Sequence, residues 1–403
     1  MRTAIGFIFA LLLVGVASAL SIPAGTELHV RLTTAVSSER PSGQPVTAVV
    51  TRPVFVRDRL ALPRGTKLTG VTADASSGTP TTAEAVEQPA KLRLDFTAID
   101  DGSGHTKPIA CFVSSVDNAR ESVDDTGLIT GIMPSQTIEG RIEQGIGKIA
   151  GRGQQFGQLL AGFESAFVNK VDPSITFRPG VDLVLKLTKP LEWDAPGLPD
   201  EIPDLTSNSS LIELVNSEPF RTVAENPPKP SDITNLMFIA NEEQLDRAFR
   251  EAGWTTAASL SHDSKIETAR ALIEARGYGE APMSVLTLDG RPPDLTFQKQ
   301  NNTFAMRHHI RIWRRPEELD NRPVWVAAAT HDISITFSPE TKTFTHGIDA
   351  AIDQERSKVE ADLLFTGAVR ARALIERRAI PRDLSNATGD KLVTDGKIAV
   401  LEF

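Results

Sequence analysis

Only one cysteine, Cys111, occurs among 403 residues. That excludes an intrachain disulfide framework and a cysteine-based structural zinc site, and leaves only a bridge to another chain. Positive charge is also scarce, since 43 Lys and Arg stand against 52 Asp and Glu for a net charge of -9. Nucleic-acid binding therefore gains no support from composition. No apolar run reaches the ~20 residues that a bilayer-spanning helix needs. The chain also lacks a Walker-type Gly-Lys-Ser/Thr loop, a dinucleotide glycine motif, a Gly-x-Ser-x-Gly turn and a His-Glu-x-x-His helix. What is present is a 40% apolar, acidic composition over a length that, at roughly 150 residues per domain, suits two or three globular domains.

Residues 1–19 read as an export signal. Arg2 precedes an apolar run from Ile5 to Val16, and Ala17-Ser18-Ala19 follows, which is the order of a secretory leader with a small-residue cleavage site. Cleavage after Ala19 and a periplasmic or secreted location are expected, with no membrane span in the mature chain. An uncleaved anchor is the alternative.

Residues 20–190 read as a mostly-β barrel or sandwich. The phrases Ile22-Pro23-Ala24-Gly25-Thr26, Leu62-Pro63-Arg64-Gly65-Thr66 and Phe177-Arg178-Pro179-Gly180-Val181 each place a Pro and Gly turn before an alternating stretch. Further short strands are expected at 46–50, 54–56, 92–96, 109–116 and 128–132. A helical insertion is expected over about 144–171, where apolar side chains recur at helical spacing among many glycines. The phrase Leu62 to Gly70 resembles the periplasmic β-barrel domains of conjugation and secretion-channel scaffold proteins, which open a strand with Pro-x-Gly-Thr; the resemblance implies an assembly or scaffolding role.

Seven prolines and a serine cluster mark residues 191–230 as an extended, semi-stiff linker, in which Leu211 to Val215 can dock locally. Residues 231–403 then read as an α+β domain with a mainly antiparallel sheet. Asn235 to Ala240 is a buried strand, Asn241 caps a helix that Gly253 ends, and Asp263 caps a second helix ending near Gly277. A third helix runs from about Asp349 to Leu364, and Leu392 to Phe403 reads as a hairpin around Asp395-Gly396.

Several ordered blocks here resemble the LssY C-terminal domain family: Asn235-Leu236-Met237-Phe238, Ala252-Gly253-Trp254, Asp294 to Lys299, Arg307-His308-His309-Ile310-Arg311-Ile312-Trp313, Ala328 to Asp332 and Thr345 to Asp349. The resemblance covers residues 231 to about 368. It implies no settled activity, because relatives fuse the domain to membrane phosphatase-like modules or carry secretion-associated names.

Five of the seven histidines lie in this part. Strand alternation puts Arg307, His309, Arg311 and Trp313 on one face and His308, Ile310 and Ile312 on the other, and points His331 and Asp332 apart. His308 reads as a core histidine. Asp349, Asp353 and Arg356 share a helical face, with Asp353 able to pair with Arg356 and Glu355 turned away.

Two function classes follow. One is a cell-envelope binding or scaffold protein, with an envelope protein or an anionic small molecule as partner. The other is a hydrolase for an anionic or phosphate-ester substrate, in which His309, His331 or His346 moves protons and Asp332 or Asp353 orients an imidazole, while Arg307, Arg311, Arg356 and Lys299 hold the anion. A divalent metal on His309, His331, His346 and an acid is a further possibility for that site. The sequence names no cofactor. Ser261-His262-Asp263-Ser264 reads as helix capping rather than a triad.

Overall fold

The computed structural model describes residues 20–79, 87–100, 105–133, 172–193, 202–225, 227–257, 286–303, 305–338, 343–378, 381 and 383–403. The expected leader, the helical insertion at 144–171, and the helix beginning at Asp263 with His262 lie outside them.

The N-terminal half is a strongly curved antiparallel sheet. Its strands are β1 (Glu27–Leu32), β2 (Pro45–Val50), β3 (Lys67–Ser76), β4 (Lys91–Asp100), β5 (Thr106–Pro108), β6 (Cys111–Val116), β7 (Ser122–Val123), β8 (Leu128–Thr130) and β9 (Asp182–Leu187). They run in the order β6-β9-β1-β2-β3-β4-β8-β7, with β5 also on β4. The sheet nearly closes on itself: Ile109 N donates to Thr97 O at 3.1 Å, and the Cys111 thiol reaches Phe96 O at 3.8 Å. Burial, then Asp95, push that thiol up to about 12, so it stays protonated.

Alternation builds the core. Val46, Ala48 and Val50 of β2 point inward, as do Leu92, Leu94 and Phe96 of β4, each contributing about 1.5–3 kcal/mol for the larger side chains. The phase of β4 then slips, so that Ile99 rather than Ala98 is buried. A bulge opposite Thr69 and Gly70 explains it. Gly70 is required there, because a Cβ would lie 2.0 Å from Asp95 O.

The three Pro and Gly phrases are one device used three times. Thr26 N, Thr66 N and Val181 N donate back to the Pro23, Pro63 and Arg178 carbonyls in the same three-residue pattern, with Gly25, Gly65 and Gly180 at φ 85, 81 and 98°. Those are type II turns, and β1, β3 and β9 follow them.

The C-terminal half is a sheet covered on both faces. Its strands are β10 (Leu236–Ile239), β11 (Thr255–Thr256), β12 (Leu295–Lys299), β13 (Arg307–Leu319), β14 (Arg322–Ser338), β15 (Thr343–Ile348), β16 (Ala371–Glu376) and β17 (Lys397–Glu402). The order is β11-β12-β13-β14-β10-β17-β16, with β15 on β14. Among these strands only β10 and β17 pair in parallel. Leu236 and Phe238 face helices α2 (Glu242–Glu251) and α3 (Ile352–Phe365), while Met237 and Ile239 face α1 (Ser209–Ser217). Asn241 caps α2 through a full capping box, and Gly253 at φ 87° follows its end.

Two expectations change. The segment read as an extended linker holds α1, whose Asn208 cap and buried Leu211 and Val215 dock it on the sheet; Arg221–Glu225 pairs with Pro228–Ile233. Four-residue apolar spacing outweighs the local proline content. The terminal hairpin is also absent, because β17 joins the main sheet between β10 and β16.

Candidate functional site

The register of β13 on β14 decides which polar groups meet. Arg307 lies opposite Asp332, His308 opposite His331 and His309 opposite Thr330, and directly opposed residues share a face. One face therefore carries Arg307, His309, Arg311 and Asp332, and the other carries His308 and His331.

The first face is a sealed ion network. Arg307 Nε donates to Asp332 Oδ2 at 2.7 Å, His309 Nε2 lies 2.9 Å from Oδ1, and His346 Nδ1 lies 3.4 Å from Oδ2. Arg307 also donates to Gln298 Oε1 at 3.1 Å, and Arg311 to Asp232 Oδ2 at 3.2 Å. Arg307, His309, Arg311 and Asp332 are all buried. Burial disfavours charge on Asp332, but His309 and Arg307 outweigh it and hold the carboxyl well below its ordinary value. Burial brings His346 down to about 4 despite Asp332, so it is neutral at pH 7.

The second face opens on a cavity of about 670 Å³ between the barrel and α3. Here His308 sits between two carboxylates, with Nδ1 2.7 Å from Glu355 Oε2 and Nε2 3.0 Å from Asp117 Oδ1. Carboxylates only accept, so both ring nitrogens donate and the ring is an imidazolium. Burial opposes that charge, yet Glu355 and Asp117 raise His308 to about 10. Its ring stacks on His331 with 4.3 Å between centroids.

His331 is held differently. Asn118, at φ 49°, donates from Nδ2 to Lys299 O at 3.3 Å, which turns Oδ1 toward His331 Nε2 at 2.8 Å. The proton of His331 is therefore on Nε2, and Nδ1 keeps its lone pair. Burial and the adjacent His308 keep it neutral by lowering its pKa.

Beside these rings, five charges join the two halves. Asp182 accepts from Arg31 Nε at 2.7 Å, Lys299 Nζ at 2.7 Å and Lys358 Nζ at 2.9 Å. Asp362 accepts from Arg31 Nη2 at 3.0 Å, Lys299 at 3.1 Å, Lys358 at 2.8 Å and Trp254 Nε1 at 3.0 Å. Burial disfavours the Asp182 charge, but Lys299, Lys358 and Arg31 more than compensate, and its pKa falls well below 3.8. Seven carboxylate side chains line the cavity against one lysine and one arginine. His29 in its wall is lowered to about 4 by burial, then by Arg52 and Lys358.

The expected site residues are thus divided. His309, His346, Asp332, Arg307 and Arg311 come together on the sealed face, and His331 stands on the cavity face. Asp353 also lines the cavity, where it accepts from Arg356 at 3.1 Å, Thr394 Oγ1 at 2.8 Å and the Asp395 amide at 2.6 Å. Arg356 is committed to Asp395 at 2.7 and 3.0 Å, and Lys299 to Asp182 and Asp362. His308 is a buried, doubly bonded histidine as expected, but it fronts the cavity. Sequence reasoning passed over Lys358 and Asp362 and set Glu355 aside as turned away, although the three- and four-residue spacing of these residues puts them on one face of α3 with Val359, and Glu355 fronts the cavity. It also passed over Asp117, Asn118 and Asp182, which no local pattern marks.

Chemically, the cavity floor offers one imidazolium, one neutral imidazole and a carboxylate. Among the described residues no serine, threonine or cysteine hydrogen-bonds His308 or His331, so no relayed nucleophile is assembled there. One ligand atom each from His308, His331 and Glu355 lie within 4.8 Å of one another, which makes these three the metal-competent set.

A nearly closed barrel packed on a two-face-covered α+β sheet, with a charged cavity between them, is the class that fold and site define. Residues 218–398 match the family model described as LssY C-terminus, a span that contains the residue blocks carrying the resemblance and extends past them at both ends. No curated protein matches the chain. Among solved structures, ComB10 of the Com type IV secretion system of Helicobacter pylori is similar at 15% identity over 45% of this chain and 93% of that one, with a TM-score of 0.23. At that score the likeness has no weight for function.

Proposed function

We propose that this is an exported envelope protein of the binding or scaffold type, and that the cavity between its two halves is the ligand seat. The observation behind this reading is the fate of the basic side chains. Arg307, Arg311, Arg356 and Lys299 each spend their donors on internal carboxylates, which argues against a phosphate-ester pocket built on them. Of the carboxylates that line the cavity, Asp117, Asp182 and Asp362 are likewise ion-paired, and it is the exposed Glu27 at the rim that favours a cationic or neutral polar ligand. The leader-like first nineteen residues support export, and among the described residues no helix is long and apolar enough to cross a membrane.

The test pairs binding with turnover. Spermidine and an amine-bearing muropeptide are titrated calorimetrically into the mature chain, and p-nitrophenyl phosphate is offered as a substrate. Saturable binding of an amine probe, weakened several-fold by Glu27→Arg at the exposed cavity rim, is the expected result. Phosphate-ester turnover that His309→Ala abolishes in a folded protein would overturn it. Export is tested separately by N-terminal sequencing of the cell-envelope fraction, which should begin at Leu20.

A further inference from the structure

We propose that His308, His331 and Glu355 bind one divalent transition-metal ion, of zinc-like ligand preference, at the floor of the cavity. This deepens the ligand-seat reading and rests on it for access from solvent.

The first support is the ligand set itself. Two imidazoles and a carboxylate, each offering an atom within 4.8 Å of the others, form the three-protein-ligand set of an open zinc site. Metal bonds of about 2.0–2.2 Å bring neighbouring ligand atoms of a tetrahedron to about 3.3–3.5 Å, so the groups need to draw in by little more than ~1 Å. His308 Nδ1 and Glu355 Oε2, at 2.7 Å, already lie inside that span.

The second is an orphaned acceptor. Glu355 Oε1 is buried with no hydrogen-bond partner, on a side chain only 3% exposed. An anionic oxygen left so is costly unless something cationic meets it.

The third is the outer layer. Metal-binding histidines characteristically give their far N–H to a carboxylate or carbonyl, which fixes tautomer and aim. Both rings have that arrangement: His308 Nε2 goes to Asp117 and His331 Nε2 to the Asn118 side-chain carbonyl. Each leaves Nδ1 for the ion. In the metal-free form a proton shared with Glu355 occupies the His308 position, and the ion takes its place while Asp117 keeps its bond. The fourth coordination position faces the cavity, where a ligand can reach it. The neighbouring His309, His346 and Asp332 group does not compete, since Arg307 and His309 already occupy the two oxygens of Asp332.

The experiment uses the full mature chain stripped of metal. Zinc is titrated calorimetrically, cobalt(II) by visible absorption, and the zinc-loaded protein is measured by X-ray absorption. One equivalent should bind with two imidazoles in the first shell. His331→Gln and Glu355→Gln should weaken binding at least 100-fold, and Asn118→Ala by about 10–100-fold as an orienting residue. His346→Gln and His105→Ala should leave it unchanged. Absence of stoichiometric binding by the wild type, a first shell without two imidazoles, or loss in His346→Gln with retention in His331→Gln would each overturn the assignment. The absorption measurement on wild type stands even where a variant fails to fold. Failed zinc binding with intact spermidine or muropeptide binding removes the metal but keeps the seat; loss of both removes the seat as well.

Discussion

At Asp332 one carboxylate serves a guanidinium and an imidazole together, Arg307 on one oxygen and His309 on the other. Asparagine keeps the shape but leaves Arg307 buried against a neutral amide. Removing one member of a buried pair costs about 3–5 kcal/mol, whereas an exposed pair is worth about 0–1. Asp332→Asn should therefore lower the urea midpoint markedly with an unchanged slope, and Asp246→Asn, which breaks the exposed bridge to Arg250, should scarcely move it. The separation of His331 from Asp332 was legible in the sequence, because strand alternation depends only on the backbone pleat. The partners of His308 and His331 were not. Asp117 lies 191 residues away in the chain from His308, and periodicity is silent about contacts made across a domain boundary.

Secondary elements show the same division between local and distant causes. The Pro and Gly phrases announce turns because type II geometry demands positive φ at its third residue, and Gly65 meets that demand at 81° with nothing within 4 Å of an added Cβ. Gly65→Ala thus isolates backbone strain from crowding. It should cost about 1 kcal/mol or more, read as a lowered thermal midpoint with unaltered cavity binding. Helix α3 was placed correctly to within a turn at its start, yet its working face was not recognised. Charged residues on a helix ordinarily face water, yet where α3 meets the barrel Glu355 and Asp362 are buried and Lys358 largely so. The linker reading erred for the opposite reason: proline content set the extended reading of the whole segment, while the local docking of Leu211 to Val215 is what pins α1 to the sheet.

For the whole molecule, the decisive feature is that neither half carries a balanced set of buried charges. The barrel brings Asp117 and Asp182 with Arg31, and the C-terminal half brings Lys299, Lys358 and protonated His308 with Glu355 and Asp362. Each half has an excess that the other neutralises, so docking and folding are coupled through Asp182. Its folded pKa lies well below the ordinary 3.8. The sign follows from linkage: a carboxyl depressed on folding stabilises at pH above its unfolded value, and that contribution is lost as pH falls through about 4 toward the folded value. Calorimetry at pH 7 should show one cooperative transition for the wild type. Asp182→Asn should lower it and split it into two, one for each half, because the amide cannot hold three cations at the junction. The wild type should drift toward the same split trace as pH is lowered below about 4, while Asp182→Asn should show a shallower pH dependence there. A single, unsplit transition in Asp182→Asn with wild-type acid sensitivity would mean that the halves are coupled by other contacts, and that this charge cluster does not hold them together.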